Sequence, residues 1–388
     1  MSRPIRAVVA SRLFPPEPGA AAYRLGALVR ALRERGDDVA VLTTRPPAGV
    51  SDPDPDPRVR RWPVLRDAGG NVRGYVQYAS FDVPLLLRLL LHPRPDVVVV
   101  EPPPTTGLAV RLACALRRVP YVYYAADLMS VAAKGIGVSG PVVAALGALE
   151  RHVLRHAAAV LTVSDDLAAT LAAMGVAPER TVVVGTGVDT DVFTPDGPVQ
   201  DDGRPTAVYA GTMSEIQGAS VFVDAMPHVL DKLPDARLVL VGQGSETDDL
   251  RRRAASLPAG AVELTGVLPG AETARRLRSA TVGLASSRPG HGYEVAFATK
   301  MFASTASGTP VVYAGVGPCV QIVRDHDLGR AVEWTPEAVA AAMVEALTAP
   351  PAEAERTRVA QWTRQTYSLR EVGRRGAEVV AAVGRRDR

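Results

Sequence analysis

Glu294 and Lys300 place a carboxylate and an ammonium within one short stretch of the chain. An apolar run, Val282 to Ala285, leads into the loop Arg288-Pro289-Gly290-His291-Gly292-Tyr293-Glu294, and a helical pattern follows from about Ala298 to Ala306. Gly308 and Pro310 stop that helix, Gly as its C′ residue and Pro because it cannot continue one. Val311-Val312-Tyr313 then begins another strand. Strand, polar loop, helix start and strand in this order predict both charges at the carboxyl edge of a parallel sheet, where open α/β sheets bind ligands. The helix start at Ala298 and Thr299 offers amides to an anion. Lys300 is one of three lysines, with Lys134 and Lys232, in a chain that otherwise uses arginine. A compact point charge there suits a charge-assisted phosphate contact. The bland readings are a snorkelling Lys300, a solvated loop carboxylate at Glu294 and a surface histidine at His291.

The elements that must position these groups form two βαβ series. Ile5 to Ala10 reads as a buried strand, the loop to Gly19 is rich in breakers, Ala20 to Arg35 is helical, and Val39 to Leu42 is a strand. Further apolar strands follow at Pro95 to Glu101, Tyr121 to Tyr124, Ala159 to Val163 and Thr181 to Val184, and a helical tract covers Leu85 to Leu91. Asp127 falls at the carboxyl end of the Tyr121 strand, either in a site or as an N-cap for the segment after it. After a polar linker (about Thr194 to Pro205), strands at Ala207 to Ala210, Leu238 to Val241 and Val262 to Thr265 lead into Gly211-Thr212-Met213-Ser214-Glu215-Ile216-Gln217-Gly218, Gly242 and Gly266-Val267-Leu268. Backbone amides after Gly211 can cradle phosphate oxygens. The expected class is α/β, with two Rossmann-like doubly wound parallel sheets. Residues 1–190 form the first domain and 191–368 the second, and the last helix, about 369–385, packs back on the first.

Composition narrows the function. The chain has 388 residues, 47% hydrophobic and 22% charged, enough for sizeable cores. A net charge of +3 sets no strong field, and no nucleic-acid partner is expected. Cys114 and Cys319 give neither a disulfide framework nor a metal spacing. Asp52-Pro53-Asp54-Pro55-Asp56-Pro57 reads as an extended acidic loop rather than a metal site, and His152 with His156 lacks a third ligand. No signal peptide or spanning segment is read, so a cytoplasmic protein is expected. The helix from Ala20 carries Arg24, Arg30, Arg33 and Arg35 and could touch acidic lipid, though such faces are usually only solvated.

Ser286, Glu294, Lys300 and Gly308-Thr309-Pro310-Val311-Val312 resemble the donor-sugar segment of GT-B glycosyltransferases, in particular the retaining family 4. The run Val163 to Val176 with Gly187 to Pro195 resembles the interdomain hinge of these enzymes, and the Pro-Pro-Glu-x-Gly loop at Gly19 resembles their first βαβ unit. The resemblance covers nearly the whole chain and implies two domains facing across a cleft. It also implies that Val267 and Leu268 hold the base, that Glu294 fixes the hexose hydroxyls, that the Gly19 loop, the Gly211 loop and Lys300 meet the diphosphate, and that Asp127 orients the acceptor. Three positions depart from the pattern. The family's second helix Glu, counted back from Gly308, is Ala303; the Lys before Gly218 is Gln217; and the residue before Asp127 is Ala126.

The expected function is transfer of a sugar from a nucleotide-diphosphate sugar, UDP-sugar foremost, to a hydroxyl of a small-molecule or lipid-linked envelope-precursor acceptor. By resemblance it is retaining, and no cofactor or metal is expected, because amides and Lys300 can balance the leaving charge. The donor-side residues are Gly19, Gly211, Thr212, Gln217, Gly242, Val267, Leu268, His291, Gly292, Tyr293, Ala298 and Thr299, and the catalytic ones Glu294, Lys300 and Asp127. Two rivals share the fold: a non-hydrolysing sugar-nucleotide epimerase, and a non-catalytic partner protein suggested by Ala303, Ala126 and Gln217.

Overall fold

Nearly continuous runs of Val, Ile and Ala, such as Val97–Val100, are what strands covered on both faces look like. The computed structural model describes residues 3–17, 19–47, 50, 55–67, 70, 72, 74–135, 139–199, 203–290 and 297–386. It divides into two compact units, one of Met1–Thr186 with Leu369–Arg388 and one of Gly187–Ser368.

The first unit runs β1 (Arg6–Ala10), α1 (Ala20–Glu34), β2 (Asp38–Thr44), β3 (Val59–Trp62), α2 (Tyr75–Leu91), β4 (Val97–Val100), α3 (Pro104–Arg117), β5 (Tyr121–Ala125), α4 (Met129–Gly135), α5 (Gly140–His156), β6 (Ala159–Thr162), α6 (Asp165–Ala173) and β7 (Thr181–Val183). Its strands pair in parallel in the order β3-β2-β1-β4-β5-β6-β7. Alternate residues feed opposite faces, as the strand period of two requires. Val9, Val97, Val99 and Val122 join one core, Val8, Val98, Val100 and Tyr123 the other. Ser164 Oγ accepts from Leu167 N at 3.2 Å and caps α6.

The second unit runs β8 (Thr206–Ala210), α7 (Ser220–Leu230), β9 (Arg237–Val241), α8 (Thr247–Ala254), β10 (Val262–Gly266), α9 (Gly270–Ser279), β11 (Val282–Ser287), α10 (Lys300–Ala306), β12 (Val311–Gly315), α11 (Pro318–Asp325), β13 (Gly329–Val332), α12 (Pro336–Thr348) and α13 (Glu353–Thr366). Its sheet is also all parallel, in the order β10-β9-β8-β11-β12-β13. Gly283 lets α10 lie close on β11: a Cβ there would come within 2.7 Å of Ser304 Cβ. Gly308 ends α10 in the left-handed region, at φ +79°.

The last helix, α14 (Leu369–Arg386), belongs to the first unit and packs along α1. The close approach needs glycine, since a Cβ on Gly373 would meet Ala27 O at 2.5 Å. This pairing covers the apolar stripe of α1, including Leu25, Leu28 and Leu32. Arg33 pairs with Asp56 and Arg35 with Asp37, while the Arg24 guanidinium lies 5.8 Å from the centre of the Tyr124 ring. The arginines of α1 are therefore mostly engaged within the unit.

Both sheets reverse strand order once, between β1 and β4 in the first and between β8 and β11 in the second. Ligands of doubly wound folds bind outside the carboxyl ends of strands at such reversals.

Candidate functional site

In the second unit the reversal is lined by Gly211, which follows β8, and by Ser286 and Ser287, which close β11. Ser286 Oγ donates to Gln217 O at 2.5 Å and anchors the loop between β8 and α7. Lys300, the first residue of α10, sends its ammonium into this corner. Its Nζ donates to Tyr209 OH at 2.8 Å and to Gln217 Oε1, and lies 4.7 Å from the centre of the Tyr209 ring. Tyr209 OH in turn donates to Thr212 O at 2.8 Å.

Space around the lysine stem is made by glycine. A Cβ on Gly211 would fall 2.8 Å from Lys300 Cε, and one on Gly242 would fall 2.1 Å from the Gly211 carbonyl oxygen. Lys300 as a residue is half-buried, but protein surrounds its ammonium. Burial pushes its pKa down to about 7, against a small opposing effect of Cys319. Among the described residues no carboxylate pairs with it. The snorkelling reading fails on this geometry.

Other expected features of this edge are rearranged. The amide of Ala298 does not face outward but donates to Cys319 Sγ at 3.3 Å. The helix proper begins at Lys300 with Thr299 as its N-cap, and its seven residues give only a short dipole. In the β8–α7 loop the amides of Gly211, Met213, Gln217 and Gly218 bond to backbone carbonyls. Those of Thr212, Ser214, Glu215 and Ile216 have no acceptor among the described residues. Gly242 donates its amide to Gly266 O at 2.8 Å, so it contributes shape rather than a free donor. Val267 is exposed at the end of β10, and Leu268 is half-buried against the core. Ala303 is buried on α10 within the apolar cluster of Met301 and Phe302. Glu294, His291, Gly292 and Tyr293 lie outside the described residues.

In the first unit the same kind of corner holds two carboxylates. Glu101 follows β4 and Ser11 follows β1; Ser11 Oγ donates to Glu101 Oε1 at 2.5 Å across the reversal. Glu101 is enclosed, and burial raises its pKa to about 7 despite Arg24, Ser11 and Arg12. Asp127 follows β5. The N-cap reading for it does not hold, because Glu150 takes the amides of Met129 at 2.8 Å and Ser130 at 3.2 Å. Surrounding protein raises the Asp127 pKa, opposed by Arg24 and Arg12. Its surface stays open to water, so that push counts for less than the one on Glu101. Gly19 is the N-cap of α1 with open space beside it.

Sequence reasoning missed Glu101, Arg12, Tyr209 and Ser11. Strand-end position alone could have raised Glu101, but an acidic residue after a Val run has no distinguishing pattern. Tyr209 reads as a core residue and acts at its hydroxyl tip only because it lies beneath Lys300.

A family model described as a glycosyl transferase 4-like domain matches residues 19–187, and one described as glycosyl transferases group 1 matches residues 204–349. The chain belongs to the family 4-like GT-B glycosyltransferases. This glycosyltransferase is 32% identical over 174 residues to a phosphatidyl-myo-inositol mannosyltransferase of Mycobacterium tuberculosis, covering 43% of this chain and 44% of that one. It is 30% identical over 213 residues to a GDP-mannose-dependent alpha-(1-6)-phosphatidylinositol dimannoside mannosyltransferase of the same species, covering 53% and 52%. The matches thus span about half the length of these curated relatives. Among solved structures, WaaG, a glycosyltransferase involved in lipopolysaccharide biosynthesis, superposes with a TM-score of 0.73 at 16% identity, over 96% of this chain and 99% of that one. Anabaena HepE in complex with UDP-glucose gives 0.67 at 14% identity, over 97% and 100%. These likenesses show the shared fold of the glycosyltransferase.

Proposed function

We propose that this glycosyltransferase moves a hexose from a nucleotide-diphosphate sugar to a hydroxyl of a lipid-linked or small-molecule acceptor. The observation that carries the reading is Lys300, an ammonium at the reversal of a parallel sheet, pulled toward neutrality and without a carboxylate partner among the described residues. Such a group is costly to keep unless an anion arrives. A donor diphosphate supplies that anion, with the amides of Thr212, Ser214, Glu215 and Ile216, which have no acceptor among the described residues, as neutral partners.

As the bond from sugar C1 to the diphosphate oxygen breaks, negative charge grows on the leaving group. Lys300 and those amides stabilise it where it develops. The acceptor oxygen forms the new bond to C1, and its proton passes to the departing diphosphate or to solvent. Asp127 is assigned to the acceptor. Glu101, poised near half protonation at neutral pH, can both donate to and accept from a hydroxyl. Retention of configuration, operation without a metal, and a sugar contact from Glu294 follow from the family resemblance alone. Curated relatives whose names give a donor are GDP-mannose-dependent, so that sugar nucleotide comes first in the test, with UDP-glucose beside it.

Thermal unfolding with each nucleotide sugar tests the reading. A donor at about a hundredfold over its Kd stabilises by about 2.7 kcal/mol, a shift of about 5–10 °C for a unit of this size. Lys300→Met is expected to lose that shift. No shift with any nucleotide sugar, or an equal shift in the variant, overturns the proposal. Binding without transfer or hydrolysis would instead favour the non-catalytic partner.

A further inference from the structure

Surface helices normally turn polar side chains to water, and the outer faces of α2 and α3 do not. Along α2 the exposed stripe is Val76, Val83, Leu87 and Leu91, the last 86% exposed, and on α3 it continues as Leu112 and Leu116. The two helices pack side by side. Between them runs a groove of about 290 Å³ lined by Tyr75, Tyr78, Val83, Leu86, Leu108 and Leu112. Asp82 is the one carboxylate among the described residues that line it, and it is held by a 2.5 Å hydrogen bond from Thr106 Oγ1.

A cationic margin borders this surface. Arg88 lies beside the apolar stripe, its guanidinium 5.7 Å from the Trp62 ring centre and its Nη2 2.7 Å from Arg60 O. Arg117 donates to Leu89 O and His92 O at the end of α2, and Arg94 donates to Arg118 O. None of Arg60, Arg88, Arg94, Arg117 and Arg118 forms an ion pair with a carboxylate of the described residues. A second copy seated on this face through a twofold axis would bring the same arginines toward one another. A bilayer with anionic headgroups instead offers apolar depth to the leucines and negative charge to the rim.

We propose that the α2–α3 face docks this protein onto an anionic lipid bilayer, with Leu87, Leu91, Leu112 and Leu116 entering the acyl boundary and the groove receiving a lipid chain. The inference stands apart from the donor reading, since it involves neither Lys300 nor its loop. It rests on helices whose apolar faces are open, and not on the arginines of α1, whose apolar stripe α14 covers.

The test is flotation of the full chain with phosphatidylcholine vesicles, with and without phosphatidylglycerol. The protein is expected to float only with the anionic vesicles, and less as salt is raised. The double variant Arg60→Glu/Arg118→Glu should lose at least tenfold in binding, because each basic group near such a surface is worth about fivefold. Leu87→Ser/Leu91→Ser should lose flotation while keeping the wild-type melting temperature, its side chains being exposed. The proposal is overturned if the wild type does not float, or if the leucine variant floats as well as the wild type. It is equally overturned if the wild type is a dimer that this variant converts to a monomer.

Discussion

Donor binding by this glycosyltransferase should take up a proton at Lys300. An ammonium that ordinarily titrates near 10.5 is pushed by burial to about 7 in the free protein. It is then about half neutral at pH 7 and about nine-tenths neutral at pH 8. If only the charged form holds the diphosphate, the apparent affinity scales with the charged fraction. The dissociation constant should rise about fivefold from pH 7 to pH 8 and about tenfold from pH 8 to pH 9. Titration calorimetry with GDP-mannose or UDP-glucose, in buffers of low and high ionisation enthalpy, reads the proton directly. The slope of observed heat against buffer enthalpy should correspond to about half a proton at pH 7 and about nine-tenths at pH 8. The same group sets a stability trend. Between pH 7 and 10.5 the folded state holds fewer protons at Lys300 than the unfolded chain, so stability rises with pH across that window and the cost of burial is largest below it. The full shift corresponds to about 5 kcal/mol. Part of that is screened because the residue is only half-buried, so Lys300→Met is expected to gain about 2–3 kcal/mol at pH 6. A binding constant flat from pH 7 to 9, with no buffer dependence of the heat, would refute the placement of Lys300 against the phosphates.

Glu101→Gln tests the first unit. The folded state holds its proton up to about pH 7 and the unfolded chain only to about 4.5, so wild-type stability falls as pH rises through that window, by about 3 kcal/mol. Urea unfolding at pH 5 and pH 8 should show that fall in the wild type and not in the variant. Gly242→Ala forces a Cβ to within 2.1 Å of the Gly211 carbonyl at a φ of +128°. A loss of about 2–4 kcal/mol is expected together with lost nucleotide binding, and an unchanged melting temperature would show that the strand-end loops yield easily. Asp127→Asn should lower kcat about a hundredfold or more and leave donor binding intact. A kcat within about threefold of wild type removes Asp127 from the acceptor side.

The two-sheet fold was legible because its signal is redundant. Val97–Val100 and Val282 to Ala285 are apolar on both faces, and each is followed by a turn signal and a helical period. What escaped were edge elements. In β3, Val-Arg-Arg-Trp carries two arginines because it lies at the sheet margin with a half-open face. β13 likewise holds the exposed Arg330 at the other sheet's margin. The start of α2 was hidden by Pro84, which sits inside the helix rather than ahead of it. Burial of Phe81 and Leu85 on either side of it outweighs the one missing backbone bond. Of the site, Lys300 could be singled out by rarity and by its place after a strand. Its partners could not, because Tyr209 and Gln217 are far from it in sequence and meet it only when β8 and β11 become neighbours.

The departures at Gln217 and Ala303 also take on a physical sense. A cation at position 217, where the family usually carries lysine, would face Lys300 across the distance now filled by the Gln217 carboxamide. Two like charges in that enclosed corner would drive the Lys300 ammonium further toward neutrality. The neutral carboxamide instead gives the ammonium an acceptor, and the Ser286 hydroxyl holds the Gln217 main chain in register beside it. Tyr209 ties the same ammonium to the carbonyl of Thr212, so the cation and the start of the β8–α7 loop are held as one piece. Ala303 faces a different constraint. It is buried against Met301 and Phe302 in the core that sets α10 on its sheet, and a carboxylate there would be drawn out of water without a partner among the described residues. The absence of an acid at that position is thus tied to packing of the helix that presents Lys300, and the ribose of a bound donor has to be held by other groups.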